Sequence, residues 1–270
     1  MSPGRCVLIT GASSGLGAEF AKQLAGLSSD LVLVARRIGL LENLSAEIAA
    51  SFPAIKIHCI QADLTLNDDI ERLIHSLGSM ELCPDLLINN AGMGDYGEFC
   101  NAEWGKVDAM LQLNMVALTR LTRELLPGMI EKAPGDIINV SSLASALPIP
   151  DFAAYAASKA YVTSFSEALR MELHEHRINV LALCPGPVHT GFGEVAQRGE
   201  HANVTPGGEL VYIEACQVVK EAINAMEKGK AVHYPGTRIA LAATMIRMLP
   251  MKLIRLFMSR RPRRGDSAPY

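Results

Sequence analysis

The chain has 270 residues, long enough for one large α/β domain with a well-buried core. It is 49% hydrophobic and 20% charged, the balance of a globular domain, and a formal net charge of −3 gives no global reason to bind nucleic acid. Its six cysteines (Cys6, Cys59, Cys83, Cys100, Cys184, Cys216) form no Cys-x-x-Cys pair, so neither a zinc site nor a dithiol redox pair is indicated.

The first apolar run, Cys6–Thr10, reads as strand one. It begins almost at the N-terminus, so no signal peptide is expected before it. Reduced, buried thiols and a cytoplasmic location are expected. Strand one runs into Thr10-Gly-Ala-Ser-Ser-Gly-Leu-Gly17 and then a helical stretch, Leu16–Ser28. Gly11, Gly15 and Gly17 let the backbone turn tightly and approach a pyrophosphate, with Ser13, Ser14 and a helix N-terminus facing the anion. Taken alone, the same residues also suit a plain strand-to-helix turn.

Leu31–Ala35 is strand two, followed by Arg36 and Arg37. A site for NAD would place an acid here, for the ribose 2′-hydroxyl. Two guanidiniums suit a 2′-phosphate instead, so the expected cofactor is NADP(H), with Arg36 as main ligand and Ser13 or Arg37 assisting. The chain continues with helix Leu40–Ser51, strand Ile55–Ile60, helix Asn67–Leu77 and strand Asp85–Asn89. A long helix, Ala102–Lys132, precedes the fifth strand, Asp136–Val140.

The next helix, Ala153–His176, carries Tyr155 and Lys159 four residues apart, hence on one face. A free phenol has a pKa of about 10. A fixed ammonium beside it is expected to pull that value down and make the pair a proton donor and acceptor. His174 and His176 stand two apart and do not share a helix face, so no metal site is expected. His189 is given no role. Strand Ile178–Leu183, helix Gly207–Lys228 and strand Ala231–Tyr234 complete the alternation. Near-continuous apolarity marks strands covered on both faces. The expected fold is a doubly wound, Rossmann-type parallel sheet of about seven strands with helices on both faces, in a single domain over 1–270.

Residues 238–264 hold eight Lys or Arg and no acid, interleaved with Ile, Leu, Met and Phe, and Pro250 divides them into two helices. Such a basic, apolar extension (236–270) can lie on an anionic membrane, cover the substrate pocket or join another subunit. No run of 18 uncharged apolar residues exists, so no spanning helix is expected.

Several motifs in order and spacing resemble the short-chain dehydrogenase/reductase family. Besides the glycine turn these are Asn89-Asn-Ala-Gly92 after strand four, Asn114 in the long helix and Ser142, thirteen residues before Tyr155. Tyr155-x-x-x-Lys159 and Pro185-Gly-Pro-Val-His-Thr190 complete the set. The resemblance implies Asn114, Ser142, Tyr155 and Lys159 as catalytic. It further implies cofactor contacts from Asp63 (adenine), Asn90 (adenosine ribose), Leu16, Leu64, Ala91, Gly92, Tyr155 and Lys159. Pro185, Gly186, Val188 and Thr190 would do the same around the nicotinamide.

The implied reaction is reversible hydride transfer between NADP(H) and a ketone or aldehyde. Ser142 would hold the carbonyl oxygen, and Asn114 would hold a water beside Lys159. A double-bond reductase, an epimerase or a non-catalytic NADP-binding sensor or scaffold are the alternatives. Leu143, Leu147, Phe152, Phe192 and Val195, with 190–210 as substrate loop, imply an apolar small-molecule substrate. A homodimer or homotetramer through the two longest helices is implied as well.

Overall fold

The structure, a computed structural model, describes residues 4–196 and 212–259. In chain order it runs β1 (Arg5–Thr10), α1 (Gly15–Leu24), β2 (Ser28–Ala35), α2 (Ile38–Ser51), β3 (Lys56–Gln61), α3 (Asn67–Ser79) and β4 (Leu86–Asn89). There follow α4 (Trp104–Leu111), α5 (Leu118–Glu131), β5 (Gly135–Val140), α6 (Ala153–Glu172), β6 (Ile178–Leu183) and α7 (Phe192–Ala196). The last elements are α8 (Ala215–Glu227), β7 (Val232–His233), α9 (Thr237–Met248) and α10 (Met251–Ser259). The seven strands are all parallel, in the order β3-β2-β1-β4-β5-β6-β7. The order reverses between β1 and β4, and the carboxyl ends on either side of that switch point are where such sheets bind ligands.

Successive strand residues point to opposite faces, and both faces are apolar. Val7, Ile9, Leu31, Leu33 and Ile88 pack with Phe20, Leu41 and Val218 from α1, α2 and α8. Leu8, Val32, Leu87, Ile137 and Val180 pack on the other side with Ile70, Leu121 and Leu169 from α3, α5 and α6. The sheet is therefore wound on both sides, as the sequence pattern predicts.

The amino ends of the strands are joined by charge. The Arg5 guanidinium pairs through Nε with Asp85 and through Nη1 with Asp136 Oδ2 at 2.7 Å, and Nη2 donates to the Asp85 carbonyl at 2.6 Å. Asp85 also accepts from the Cys6 backbone N–H at 3.0 Å, and Asn179 donates to Asp136 at 3.1 Å. One cluster thus ties β1, β4, β5 and β6 together.

Several boundaries differ from the sequence reading. α1 ends at Leu24, a short 3₁₀ turn follows, and β2 begins at Ser28 instead of Leu31. Ser28, Ser29 and Asp30 extend β2 along β1 without an apolar signal. The expected helix 102–132 is interrupted by one π turn over Gln112–Ala117. Of the expected helix 207–228, α8 covers Ala215–Glu227, and 207–211 lie outside the described residues. So do residues 197–210 of the expected substrate loop, the Val195 side chain and 260–270.

Candidate active site

The turn after β1 is held by sterics and by Thr10. A Cβ on Gly17 would stand 2.3 Å from the Gly11 carbonyl oxygen, so only glycine lets α1 start this close to the strand. Gly11 has φ +65, and a Cβ there would stand 2.9 Å from the Ala91 Cα. Thr10 Oγ1 accepts from the backbone N–H groups of Asn90 and Ala91, both at 3.0 Å, and Asn90 Nδ2 donates to the Thr10 carbonyl at 2.9 Å. These bonds fix the ends of β1 and β4 side by side at the switch point. At the head of α1, Ser14 makes no side-chain cap and the first turn holds no acid. The positive end of the helix therefore faces the turn without a negative partner of its own.

Two guanidiniums follow β2, and only one stands beside the turn. Arg37 Nη2 donates to Ser13 Oγ at 3.1 Å and to Ser14 Oγ at 2.9 Å. Arg36 points the other way: it is 69% exposed and its Nη1 lies 3.8 Å from Asp63 Oδ2. Arg37, not Arg36, thus lies against the turn. Asp63 is already engaged, since its Oδ1 accepts from Thr65 N and Oγ1 and its N–H donates to Asp69 Oδ2. The Leu64 side chain is buried in the core, which leaves only its backbone for a ligand. The cradle left by the missing Cβ atoms, the uncapped helix and the Arg37 guanidinium fit a phosphate-bearing dinucleotide.

The second half of the site is set by how α6 meets β5. Ser141 Oγ donates to the Lys159 carbonyl at 2.8 Å and lies 2.7 Å from Thr163 Oγ1. One turn further along, Asn139 Nδ2 donates to Ser166 Oγ at 2.9 Å. With α6 stitched in this way, Tyr155 and Lys159 both come to lie at the carboxyl end of β5. Lys159 Nζ donates to the Val140 carbonyl at 2.8 Å and stands 5.8 Å from the centre of the Tyr155 ring. Ser142 follows β5 and caps the next turn, its Oγ accepting from Ala144 N at 3.1 Å. The same hydroxyl is close enough to the Tyr155 side chain to favour its charged form.

Asn114 sits in the π turn, a feature with no signature in the hydropathy pattern. Its Oδ1 accepts from Met93 N at 3.0 Å, while Nδ2 donates to the Met93 carbonyl at 2.9 Å and to Ser158 Oγ at 3.0 Å. A Cβ on Gly92 would stand 3.2 Å from Asn114 Oδ1 and 3.4 Å from Lys159 Nζ. Gly92, Asn114 and Lys159 therefore converge.

The electrostatics correct one expectation. The Tyr155 phenol is not acidified: burial pushes it up to about 12, with the Ser142 hydroxyl acting in the opposite direction. Burial also pulls Lys159 down to about 8. The ammonium spends its hydrogen bond on the Val140 carbonyl, and aromatic rings close around the phenol. Phe152 stacks on Tyr155 at 4.2 Å, and Phe192 tilts against it at 5.7 Å. Tyr96 meets the edge of Phe152 at 5.6 Å. Tyr96 was not singled out in the sequence, because nothing there ties the segment after Gly92 to the start of α6.

The segment Pro185–Thr190 spans the gap between the two halves. The Pro185 carbonyl accepts from Leu143 N at 2.8 Å, and Val188 bridges Ile213. The Thr190 methyl lies 3.2 Å from where a Gly15 Cβ would be, which puts Thr190 on the glycine turn. Gly186 packs on Ile239 of α9, and His189 stacks on Tyr212 at 4.6 Å.

Comparison with known proteins gives the family and the fold. The family profile described as short chain dehydrogenase matches residues 5–201. Dehydrogenase/reductase SDR family member 7B of Bos taurus is 31% identical over 265 residues, covering 94% of this chain and 80% of that protein. Ketoacyl reductase HetN of Nostoc sp. is 36% identical over 186 residues, 68% of this chain and 64% of that protein, so this chain spans less than two thirds of its length. Among solved structures, a short-chain dehydrogenase from Sphingobium yanoikuyae in complex with NADPH superposes with a TM-score of 0.78 at 28% identity, covering 98% of each chain.

Proposed function

Because this chain belongs to the short-chain dehydrogenase/reductase family, we propose that it reduces the carbonyl of an apolar ketone or aldehyde with NADPH. The observation that carries this reading is the convergence of Ser142, Tyr155 and Lys159 at the carboxyl end of β5, with Phe152 and Phe192 against the Tyr155 ring. The nicotinamide cofactor, held at the glycine turn, would supply the hydride for the carbonyl carbon. Tyr155, held as the neutral phenol by burial, donates its proton to the carbonyl oxygen. Ser142 donates a hydrogen bond as charge builds on that oxygen. The Lys159 ammonium, charged below about 8, offsets the negative charge the phenol acquires when its proton leaves. Asn114 positions: by gripping Met93 through both amide atoms it holds the strand-four turn against Lys159.

NADPH rather than NADH is supported by the pair Arg36–Arg37 where an acid would otherwise stand. Arg37, bonded to the Ser13 and Ser14 hydroxyls, gives a cation at the turn that suits a 2′-phosphate; solved relatives are described with NADPH and with NAD. The aromatic wall supports a bulky or acyl-chain ketone, consistent with a ketoacyl reductase among the relatives. The test is a panel of alkyl ketones, aryl ketones and 3-ketoacyl thioesters, followed by loss of reduced-nicotinamide absorbance. Turnover is expected with at least one apolar ketone. No oxidation of NADPH or NADH with any member of the panel overturns the reading.

A further inference from the structure

We propose that the outward faces of α9 and α10 dock on an anionic lipid surface. α9 is apolar on two opposite sides. Inward, Ile239 and Ala243 are buried, and Ile239 packs on Gly186 beside the candidate active site. Outward, Leu241, Met245 and Met248 fall on one helical face and are 63%, 59% and 81% exposed. A helix that turned this side to water would carry charged or polar residues there. The apolar exposure continues through Leu249 and Met251 into α10, where Leu253 and Leu256 are exposed while Ile254 faces inward.

Charge selects the occupant. Arg238, Arg247, Lys252 and Arg255 are exposed along these two helices. Residues 238–264 hold eight of the chain's 25 Lys and Arg and none of its 28 Asp and Glu. A second copy meeting this face across a twofold axis would bring cation against cation, with no acid in the segment to pair them. An anionic headgroup layer neutralises the cations, and its acyl boundary takes the Leu and Met side chains. Among the described residues no helix is long and apolar enough to cross a membrane, so the contact lies on the surface. The docking face is then the reverse side of a helix whose inner side backs the Ser142 turn.

The test is flotation of the full chain with phosphatidylcholine vesicles and with vesicles about a third phosphatidylglycerol. The protein is expected to float with the anionic vesicles and stay behind with the neutral ones. The double substitution Leu241→Asp, Met245→Asp should raise the lipid needed for half-binding at least tenfold. Arg247→Ala with Arg255→Ala should raise it severalfold. Retained binding of NADPH, read by fluorescence, shows that each variant is folded. Three results overturn the proposal. One is no flotation with anionic vesicles, and another is flotation that the double Asp variant leaves unchanged. The third is a wild-type oligomer that the double Asp variant dissociates in the absence of vesicle binding, which would give this face to another subunit.

Discussion

At the amino end of the sheet, Arg5 meets Asp85 and Asp136 through three of its nitrogens. At the carboxyl end, Lys159 is buried to the same degree or more, but among the described residues its ammonium donates to a backbone carbonyl and pairs with no carboxylate. Burial lowers both cations' pKa, yet the outcomes are opposite. For Arg5 its hydrogen bonds to two carboxylates outweigh burial and the pKa rises. For Lys159 burial wins, and the pKa falls to about 8. Opposite charges close at hand turn a buried cation into a clamp. Where they are missing, a buried cation is left near its titration point, where it can respond to a change of charge next to it.

If that contrast is right, substitutions at the two ends should separate chemistry from stability. The largest effect belongs to Tyr155→Phe. Removing the proton donor should lower kcat/KM for ketone reduction by about 10³-fold. The thermal midpoint should hardly move, since the ring and its stacking on Phe152 remain. Activity within tenfold of the parent enzyme would break the assignment. Next is Asp85→Ala at the other end. It strips Arg5 and the Cys6 N–H of a partner and should cost about 3 kcal/mol in urea unfolding. The KM values of the folded fraction should stay within about twofold. A variant that kept its stability but lost turnover would erase the distinction between the two ends.

The two ends were also unequally legible in the sequence. The seven strands followed from β-rich apolar runs, because a parallel sheet buried on both faces needs them. Two parts of the candidate site could be read from local spacing: Tyr155 and Lys159 share a helix face, and the glycines share one turn, whereas Asn114 and Ser142 came from the family resemblance. What could not be read depends on distant contacts. The Arg5 cluster joins residues about 80 and 131 positions apart, and nothing near Arg5 announces it. The π turn that sets Asn114 has the same composition as ordinary helix. The direction of the Tyr155 shift depends on how tightly Phe152 and Phe192 close over it. A Tyr-x-x-x-Lys pattern shows that the two groups are neighbours. It carries no information on whether water or aromatic rings surround them.

A smaller effect sharpens the picture at the glycine turn. Arg37→Ala should raise the KM for NADPH by about 10- to 100-fold, the worth of hydrogen bonds to a charged group, while the KM for NADH changes little. Arg36→Ala should do less, since that side chain turns toward Asp63. The reverse ranking would return the main role to Arg36, and equal loss with both cofactors would remove the 2′-phosphate from the account.

The smallest effect tests the Lys159 side of the contrast directly. Reduction leaves a negative charge on the buried Tyr155 oxygen, and burial penalises that charge heavily. A charged Lys159 offsets the penalty and a neutral one does not. Its depressed value means the ammonium is present below about 8 and lost above it, so reduction should weaken as pH rises. Between about pH 7 and 9 the charged fraction falls roughly tenfold, and kcat for ketone reduction should fall with it. In Lys159→Arg the cation does not titrate in this range. That variant should be slower at neutral pH, because a larger planar group replaces a compact ammonium, but its profile should be flat. A break near 8 that survives in Lys159→Arg would assign the titration to another group. The cation at the carboxyl end would then be a clamp like Arg5, and the contrast between the two ends would fail.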